Sequence, residues 1–339
     1  MAAHGQHVSE GPDTSEDTMR AVVHERYGGA EVLQVARVPR PEVSDRAVLV
    51  RVHAAGLDRG VWHVMRGLPY AARLAFGLRR PKNPVLGFDV AGTVVALGRS
   101  VTRFAEGDEV YGFGEGAFAE YATVPAANLA RKPTNLSFAR SAIVPVSAVT
   151  ALKGLRDAGK LRAGQHVLIT GSSGGVGSYA VQLAKVLGAE VTAVASSTKL
   201  ELVRSLGADH VLDYTHEDFA DGARHYDLIL DIAGSPSIAR LRRALTPNGT
   251  AVIAGGEDGG KLTGMSRQLG ALVLSPLVRQ RLTTFVGSVR TADLEHLTAY
   301  IEAGTVTPSL DRTYPLEQAA DAMRRLDAGE VRGKVAITI

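Results

Sequence analysis

Apolar positions along the first third of the chain recur in short runs broken by glycine and proline. Met19–His24, Val32–Val38 and Ala47–Val52 read as strands, as do Gly87–Gly98, Gly107–Gly112 and Phe118–Val124. Short strands with frequent turns predict a mostly β, barrel-like first domain. Around Ser137 to Asp157 the pattern turns helical. From His166 to about Val286 strands then alternate with helices. The strands are Val167–Thr170, Val191–Ala195, Leu228–Ile232, Thr250–Ala254 and Thr283–Val286, and the helices Gly175–Leu187, Lys199–Leu206 and Ile238–Leu245. That alternation predicts an α/β fold with a parallel sheet wound on both faces. Helical patterns at Ala292–Ala303 and Leu316–Leu326 lead to a last strand, Lys334–Ile339.

The strongest local signal opens the alternating region. Val167–Thr170 is a short β-branched run, as a strand covered on both faces should be. Gly171, Gly174, Gly175 and Gly177 follow, and Val176, Ala180, Leu183, Ala184 and Leu187 then recur at helical spacing. A strand, a glycine turn and a helix suit a dinucleotide pyrophosphate, because the backbone can approach closely and the helix N-terminus offers free N–H groups. Against G-x-G-x-x-G the chain has Ser172, Gly174 and Gly177, with a small serine in place of the first glycine. The next strand, Glu190–Ala195, runs into Ser196-Ser-Thr-Lys199 and carries no carboxylate at its end. An NAD site would place one there for the ribose 2′-OH. Hydroxyls and a lysine instead favour a 2′-phosphate, so the pattern predicts NADPH over NADH. The competing reading leaves Lys199 on a solvated helix face.

Composition narrows the classes. A length of 339 residues suffices for two cores, and 45% hydrophobic content without a long apolar run gives no membrane span. The net charge of +3 is small and scattered, so neither nucleic acid nor an anionic membrane is implied as a partner. The densest basic cluster, Arg79, Arg80 and Lys82, is interrupted by Pro81. With no cysteine, disulfides, thiolate chemistry and Cys-based metal sites are excluded. Residues 1–18 are polar and lack the apolar core of a signal peptide, which reads as a disordered tail on a cytoplasmic protein.

Several stretches then stand in a recognisable order: Gly107-Asp-Glu-Val-Tyr, Gly116-Ala-Phe-Ala-Glu-Tyr, Thr150-Ala-Leu, Gly171-Ser-Ser-Gly-Gly-Val-Gly-Ser, Leu206–Tyr214, Leu245–Gly249 and Gly333-Lys-Val. Together they resemble the zinc-independent quinone oxidoreductases of the medium-chain dehydrogenase/reductase superfamily, NADPH-dependent members related to the reticulon-interacting oxidoreductase in particular. The resemblance implies a GroES-like catalytic domain over 19–145, completed by 287–339, around a Rossmann domain over 146–286. It implies that Ser173, Gly175 and Val176 meet the pyrophosphate, that Ser196 and Lys199 meet the 2′-phosphate, and that Tyr214 contacts the adenosine end. Thr150, Gly255, Phe285 and Val286 would line the nicotinamide side. It also implies a homodimer, since the family commonly pairs through sheet edges. The positions matching the zinc ligands of related enzymes are Asp58, Phe88 and Val146, and one carboxylate with two hydrocarbons cannot build a tetrahedral site. His63 is the one conceivable second ligand.

Without a metal, a plain alcohol lacks a Lewis acid for its alkoxide, whereas an enone or quinone needs less help. The expected reaction is hydride transfer from NADPH to a quinone or an α,β-unsaturated carbonyl. Asp58, Trp62 and Tyr111 are the cleft-lining candidates by position, with Tyr111 a possible donor to the substrate oxygen and Asp58 a possible turn cap. The insert from Leu68 to Pro84 either shapes the pocket or is a surface excursion. Two alternatives stay open: a non-catalytic NADPH-binding redox sensor, and an enoyl reductase on carrier-bound chains with Arg79, Arg80 and Lys82 at its rim.

Overall fold

The computed structural model describes residues 17–255 and 263–339. The tail expected over 1–18 lies outside the described residues up to residue 16, and Thr18 already belongs to a strand. That strand, β1 (Thr18–Val23), forms an antiparallel pair with β2 (Gln34–Pro39). The first large sheet then begins with β3 (Ala47–Leu57), β4 (Asp89–Leu97), β5 (Glu109–Phe113), β6 (Tyr121–Pro125) and β7 (Leu129–Arg131). Six parallel strands follow: β8 (His166–Ile169), β9 (Glu190–Ala195), β10 (His210–Asp213), β11 (Tyr226–Asp231), β12 (Leu245–Ile253) and β13 (Arg281–Thr283). The chain returns to the first sheet with β14 (Leu310–Pro315) and β15 (Lys334–Thr338).

The two sheets have the orders β14-β15-β3-β4-β5-β7, with β6 also on β3, and β10-β9-β8-β11-β12-β13. The β-rich domain is thus built from both ends of the chain, as expected for a GroES-like domain. In the parallel sheet the strand order reverses beside β8, between β9 and β11. That reversal opens a crevice at the carboxyl ends of the strands, where dinucleotides bind in sheets of this kind. Val167, Leu168 and Ile169 of β8 are wholly buried, because helices cover both faces.

The domains share more than a hinge. The helix Pro145–Lys153 is buried along most of its length, and one apolar cluster joins Ala54, Ala91 and Tyr111 of the first sheet to Val167 and Leu230 of the second. Tyr111, expected in the cleft, is instead wholly buried in that junction. Its hydroxyl donates to the Leu294 carbonyl at 2.8 Å and lies 2.9 Å from Thr298 Oγ1, tying β5 to the helix Thr291–Glu302. Burial pushes the Tyr111 phenol well above its ordinary pKa.

The last parallel strand is shifted from the expected Thr283–Val286. It pairs through Arg281, Leu282 and Thr283 with Thr250–Val252, and Thr284 then donates its hydroxyl to the Ile253 carbonyl, which ends the ladder. Phe285 and Val286 therefore leave the sheet, and Val286 is 90% exposed. No helix among the described residues is long and apolar enough to cross a membrane.

Replacing Tyr111 by Phe should cost about 1–2 kcal/mol of stability, since the Leu294 carbonyl loses its side-chain donor in a buried place. Turnover should persist. A denaturant midpoint measured beside a rate assay checks both halves; a collapse in rate with unchanged stability contradicts this placement.

Candidate active site

One cleft of about 460 Å³ lies between the domains. Its walls include the glycine turn (Ser173, Gly174, Gly175 and Val176), Ser196, Lys199 and Tyr214 beyond β9 and β10, and Gly255 beyond β12. Asp58, His63, Val146 and Lys334 close the other side. Most of the expected cofactor residues thus meet in one place.

The turn owes its shape to residues that do not face the cleft. Ser172 is wholly buried; its hydroxyl donates to the Ile169 carbonyl at 2.6 Å and accepts from the Val194 amide at 3.0 Å. The serine that replaces the first motif glycine therefore staples the turn to β9 from within. A Cβ on Gly177 would stand 2.1 Å from the Gly171 carbonyl oxygen, so only glycine lets the helix start this close to the turn. Ser172 and Gly177 build the turn rather than line the site. Gly174 caps the helix Gly175–Val186 without any side-chain bond, leaving the first amides open toward the cleft. On the far wall, a Cβ on Gly255 would stand 1.9 Å from the Ile232 carbonyl oxygen, and Gln268 Nε2 donates to the Gly255 carbonyl at 3.0 Å.

The adenosine end differs in detail from expectation. Ser196 and the exposed Tyr214 line it. Lys199 lines it too, but its ammonium donates to the Gly329 carbonyl at 2.8 Å and the Val331 carbonyl at 3.0 Å, across the cleft. Burial lowers its pKa. A carboxylate also stands nearby, on β10 rather than β9. Asp213 accepts from the hydroxyls of Ser197 and Thr215, which hold its pKa down to about 2. Thr150, Phe285 and Val286 do not line the cleft. Phe285 packs near Gly154, and Thr150 Oγ1 would lie 3.4 Å from a Cβ on Gly287.

The catalytic-domain side gathers three charges. Asp58 caps the helix Arg59–Arg66, accepting from the Val61 amide at 3.1 Å through Oδ1. Its Oδ2 is buried without a hydrogen-bond partner and lies 3.7 Å from Lys334 Nζ. Asp89, wholly buried, accepts from the Val146 amide at 2.9 Å and lies 3.4 Å from the same ammonium. Burial, with Asp58 adding, pushes Asp89 up to about 7 against the pull of Lys334. Neither Asp89 nor Lys334 stands out in the sequence. Lys334 sits in the Gly333-Lys-Val stretch, but only the return of β15 to β3 brings it here.

The remaining candidates fall elsewhere. Trp62 turns away and donates its indole N–H to Asp327 at 2.8 Å. His63 lines the cleft; its Nδ1 is 2.9 Å from the Leu68 carbonyl, which can only accept, so Nδ1 carries the proton. The insert packs on Tyr27, whose ring lies 4.4 Å from the Arg73 guanidinium, and walls a separate cavity of about 160 Å³ with Phe76 and Phe88. Arg79, Arg80 and Lys82 are exposed and none lines the cleft. Zinc does not fit here: Phe88 and Val146 offer hydrocarbon, and Asp58 already faces an ammonium. Among the described residues no three His, Cys, Asp or Glu side chains gather as ligands.

Asp89 also makes stability depend on pH. Between about pH 4 and about pH 7 the folded chain holds a proton that the unfolded carboxyl has released, so stability falls as pH rises through that window and levels off above it. Urea midpoints at about pH 5 and about pH 8 should diverge less for Asp89→Asn than for the parent. Equal pH dependence in the two chains contradicts this assignment.

Two family models match the chain: the alcohol dehydrogenase GroES-like domain over residues 44–134 and the zinc-binding dehydrogenase over residues 206–337. The NADPH-dependent alkenal/one oxidoreductase of Arabidopsis thaliana chloroplasts is 36% identical over 94% of this chain and 79% of its own length. The mitochondrial NAD(P)H oxidoreductase RTN4IP1 of Mus musculus is 30% identical over 95% and 89%. The solved quinone oxidoreductase from Coxiella burnetii superposes with a TM-score of 0.84 at 26% identity, over 95% of this chain and 99% of that one. With the fold, the crevice and the glycine turn all in agreement, the chain belongs to the quinone oxidoreductase family of the medium-chain dehydrogenase/reductases.

Proposed function

We propose that this chain is an NADPH-dependent, zinc-independent reductase of quinones or α,β-unsaturated carbonyls. The observation that carries the reading is the single cleft in which the open helix N-terminus, Ser196 and Lys199 face a wall of Asp58, Val146 and Lys334. The names of the relatives support both the cofactor and the acceptor class. The domains divide at 19–145 with 287–339, and at 146–286.

When bound, NADPH supplies the hydride. The amides of Gly175 and Val176 would hold its pyrophosphate through the helix dipole and their N–H groups, while the Gly174 amide is taken by the Gly171 carbonyl. Ser196 and Lys199 would take the 2′-phosphate once Lys199 exchanges its two carbonyl partners for an ion pair with the phosphate. Gly255 lets the end of β12 lie close against the Ile232 backbone, and that wall would face the nicotinamide. Positioning of donor and acceptor is the main contribution of the protein.

We also propose a homodimer paired through β13. This strand ends the parallel sheet, with β12 on one side only. Beside it the helix Ser266–Leu274 and the following turn leave Leu269, Leu272, Val273 and Leu277 exposed, the last by 78%. A patch of this kind marks an interface more often than open surface.

Incubation with NADPH and a panel of enones and quinones should oxidise NADPH above the protein-free rate, and a metal chelator should not change it. Tight NADPH binding without turnover across the panel would favour a sensor. Lys199→Met should reduce the preference for NADPH over NADH by about tenfold, equivalent to about 1.4 kcal/mol. An unaltered preference removes Lys199 from the phosphate site. Light scattering should give a dimer, and Val273→Lys with Leu277→Lys a folded monomer.

A further inference from the structure

The insert from Leu68 to Pro84 is pinned at several points. Tyr27 donates its hydroxyl to the Gly77 carbonyl, and Arg73 Nε donates to the Gly67 carbonyl at 2.9 Å. The Lys82 amide closes the loop on the Phe76 carbonyl at 2.8 Å. The insert also reaches the other domain, since a Cβ on Gly264 would stand 2.9 Å from Pro69 Cγ. The cavity of about 160 Å³ that it walls is therefore preformed. Val64, Phe76, Val85 and Phe88 line that cavity, and all four are half-buried. Its polar members include Asn83 and Glu115, which are exposed and mark the outer mouth. An apolar hollow with a few polar groups at its edge is the usual make-up of a small-molecule site.

The hollow stands next to the cleft. One helix serves both: Gly60 and His63 line the cleft, and Val64 lines the cavity. The Phe88 ring separates them. It stacks on Phe113 at 5.3 Å, and its Cδ2 lies 3.9 Å from where a Cβ on Gly60 would be. Gly60 has no side chain to cover that edge of the ring.

We propose that this cavity is a side pocket for the apolar substituent of the acceptor, entered from the cleft past the edge of Phe88. It selects enones whose β-carbon carries about five or six carbons, as an alkyl chain or a phenyl ring. This rests on the reductase reading above. The size follows from the volume, since an apolar cavity of about 150 Å³ takes up benzene. The carbonyl of the acceptor stays in the cleft, and each methylene that leaves water strengthens binding by about threefold. A charged substituent is rejected, because burying it without a partner is costly. The hydrocarbon of Phe88, which rules out a zinc site, then serves as the wall of an apolar subsite.

The test is a homologous series of enones, each a methyl ketone with a β-alkyl group from methyl to heptyl, so that the reacting atoms are alike. With saturating NADPH, kcat/KM for the parent should rise by about threefold per methylene up to about five carbons and then level off. Val64→Phe fills the cavity and should cut the advantage of the pentyl over the methyl acceptor by about tenfold. Phe76→Ala enlarges it and should move the plateau out by about two methylenes. A loss of stability lowers every acceptor together and gives neither shift. Should Val64→Phe fail to fold, Ala75→Trp fills the same space from an exposed position. A profile unchanged in the filled variant, a plateau that stays in place in the enlarged one, or a parent profile that never levels off overturns the proposal. A second readout needs no turnover. With NADP⁺ present, saturated methyl ketones of the same chain lengths should bind the parent with the same length dependence in calorimetry. A parent that binds them so but oxidises no NADPH sinks the reductase reading and leaves the pocket. One that reduces every enone alike keeps that reading and loses the pocket.

Discussion

The cleft exists because the last strand of the chain is built into the sheet of the first domain, directly against the glycine turn. β15 pairs antiparallel with β3 along Ala54–Leu57, and the Gly333 amide donates to the Ser173 carbonyl at 2.8 Å. One end of this strand is thereby fixed by a catalytic-domain ladder and the other by the cofactor turn. Lys334 follows immediately and carries its charge to Asp58 and Asp89. Every distance across the cleft on that side is set by this docking. A displacement of β15 would separate the ammonium from both carboxylates and leave buried charge unpaired, a penalty of several kcal/mol.

The parallel sheet and its glycine turn were legible because their signals are local. A β-branched run, four glycines and an apolar stripe at helical spacing lie within about twenty residues, and burial on both faces enforces them. The GroES-like closure followed from the resemblance, since no local pattern tells β15 which strand to join. Short or weakly buried elements escaped. The helix Arg59–Arg66 buries only Val61 and Met65, and β10 is four residues with three of them half-buried. The helix Ser266–Leu274 turns Leu269, Leu272 and Val273 outward, so its apolar positions do not trace a core-facing stripe. In the site, the turn residues were readable by type, but their division of labour was not. Ser172 looks like a cofactor residue in the string and is an internal staple in space. Tyr111 looks like a donor and is consumed by Leu294 and Thr298. Lys334 enters the sequence reading only as the start of the last strand and within Gly333-Lys-Val, and nothing local points to its partner Asp89, 245 residues away.

The charges around the cleft are arranged in two layers with different physics. At the glycine turn the positive potential comes from backbone dipoles, whose amides are neutral and already oriented. Facing it are full charges whose burial is tolerated only in mutual company. A diffuse, neutral donor set suits a ligand of fixed high charge such as a pyrophosphate.

Lys199 connects the two layers. Its ammonium is held by the carbonyls of Gly329 and Val331, in the segment that leads into Gly333 and Lys334. Any anion that claims Lys199 must displace two carbonyl acceptors, and a phosphate can, because it adds the attraction of a full negative charge to the hydrogen bond. The exchange also reverses the electrostatics of the lysine: burial, with Arg332 nearby, lowers its pKa, whereas a phosphate neighbour stabilises its charged form. The segment is then released at Gly329 and Val331 but still held at Gly333 by Ser173. The adenosine end of the cleft and the Lys334 ammonium are therefore joined by a few residues of backbone. Discrimination between the two nicotinamide dinucleotides is a net quantity, the phosphate bond less the two carbonyl bonds it replaces, and is smaller than the charge of a third phosphate alone would suggest.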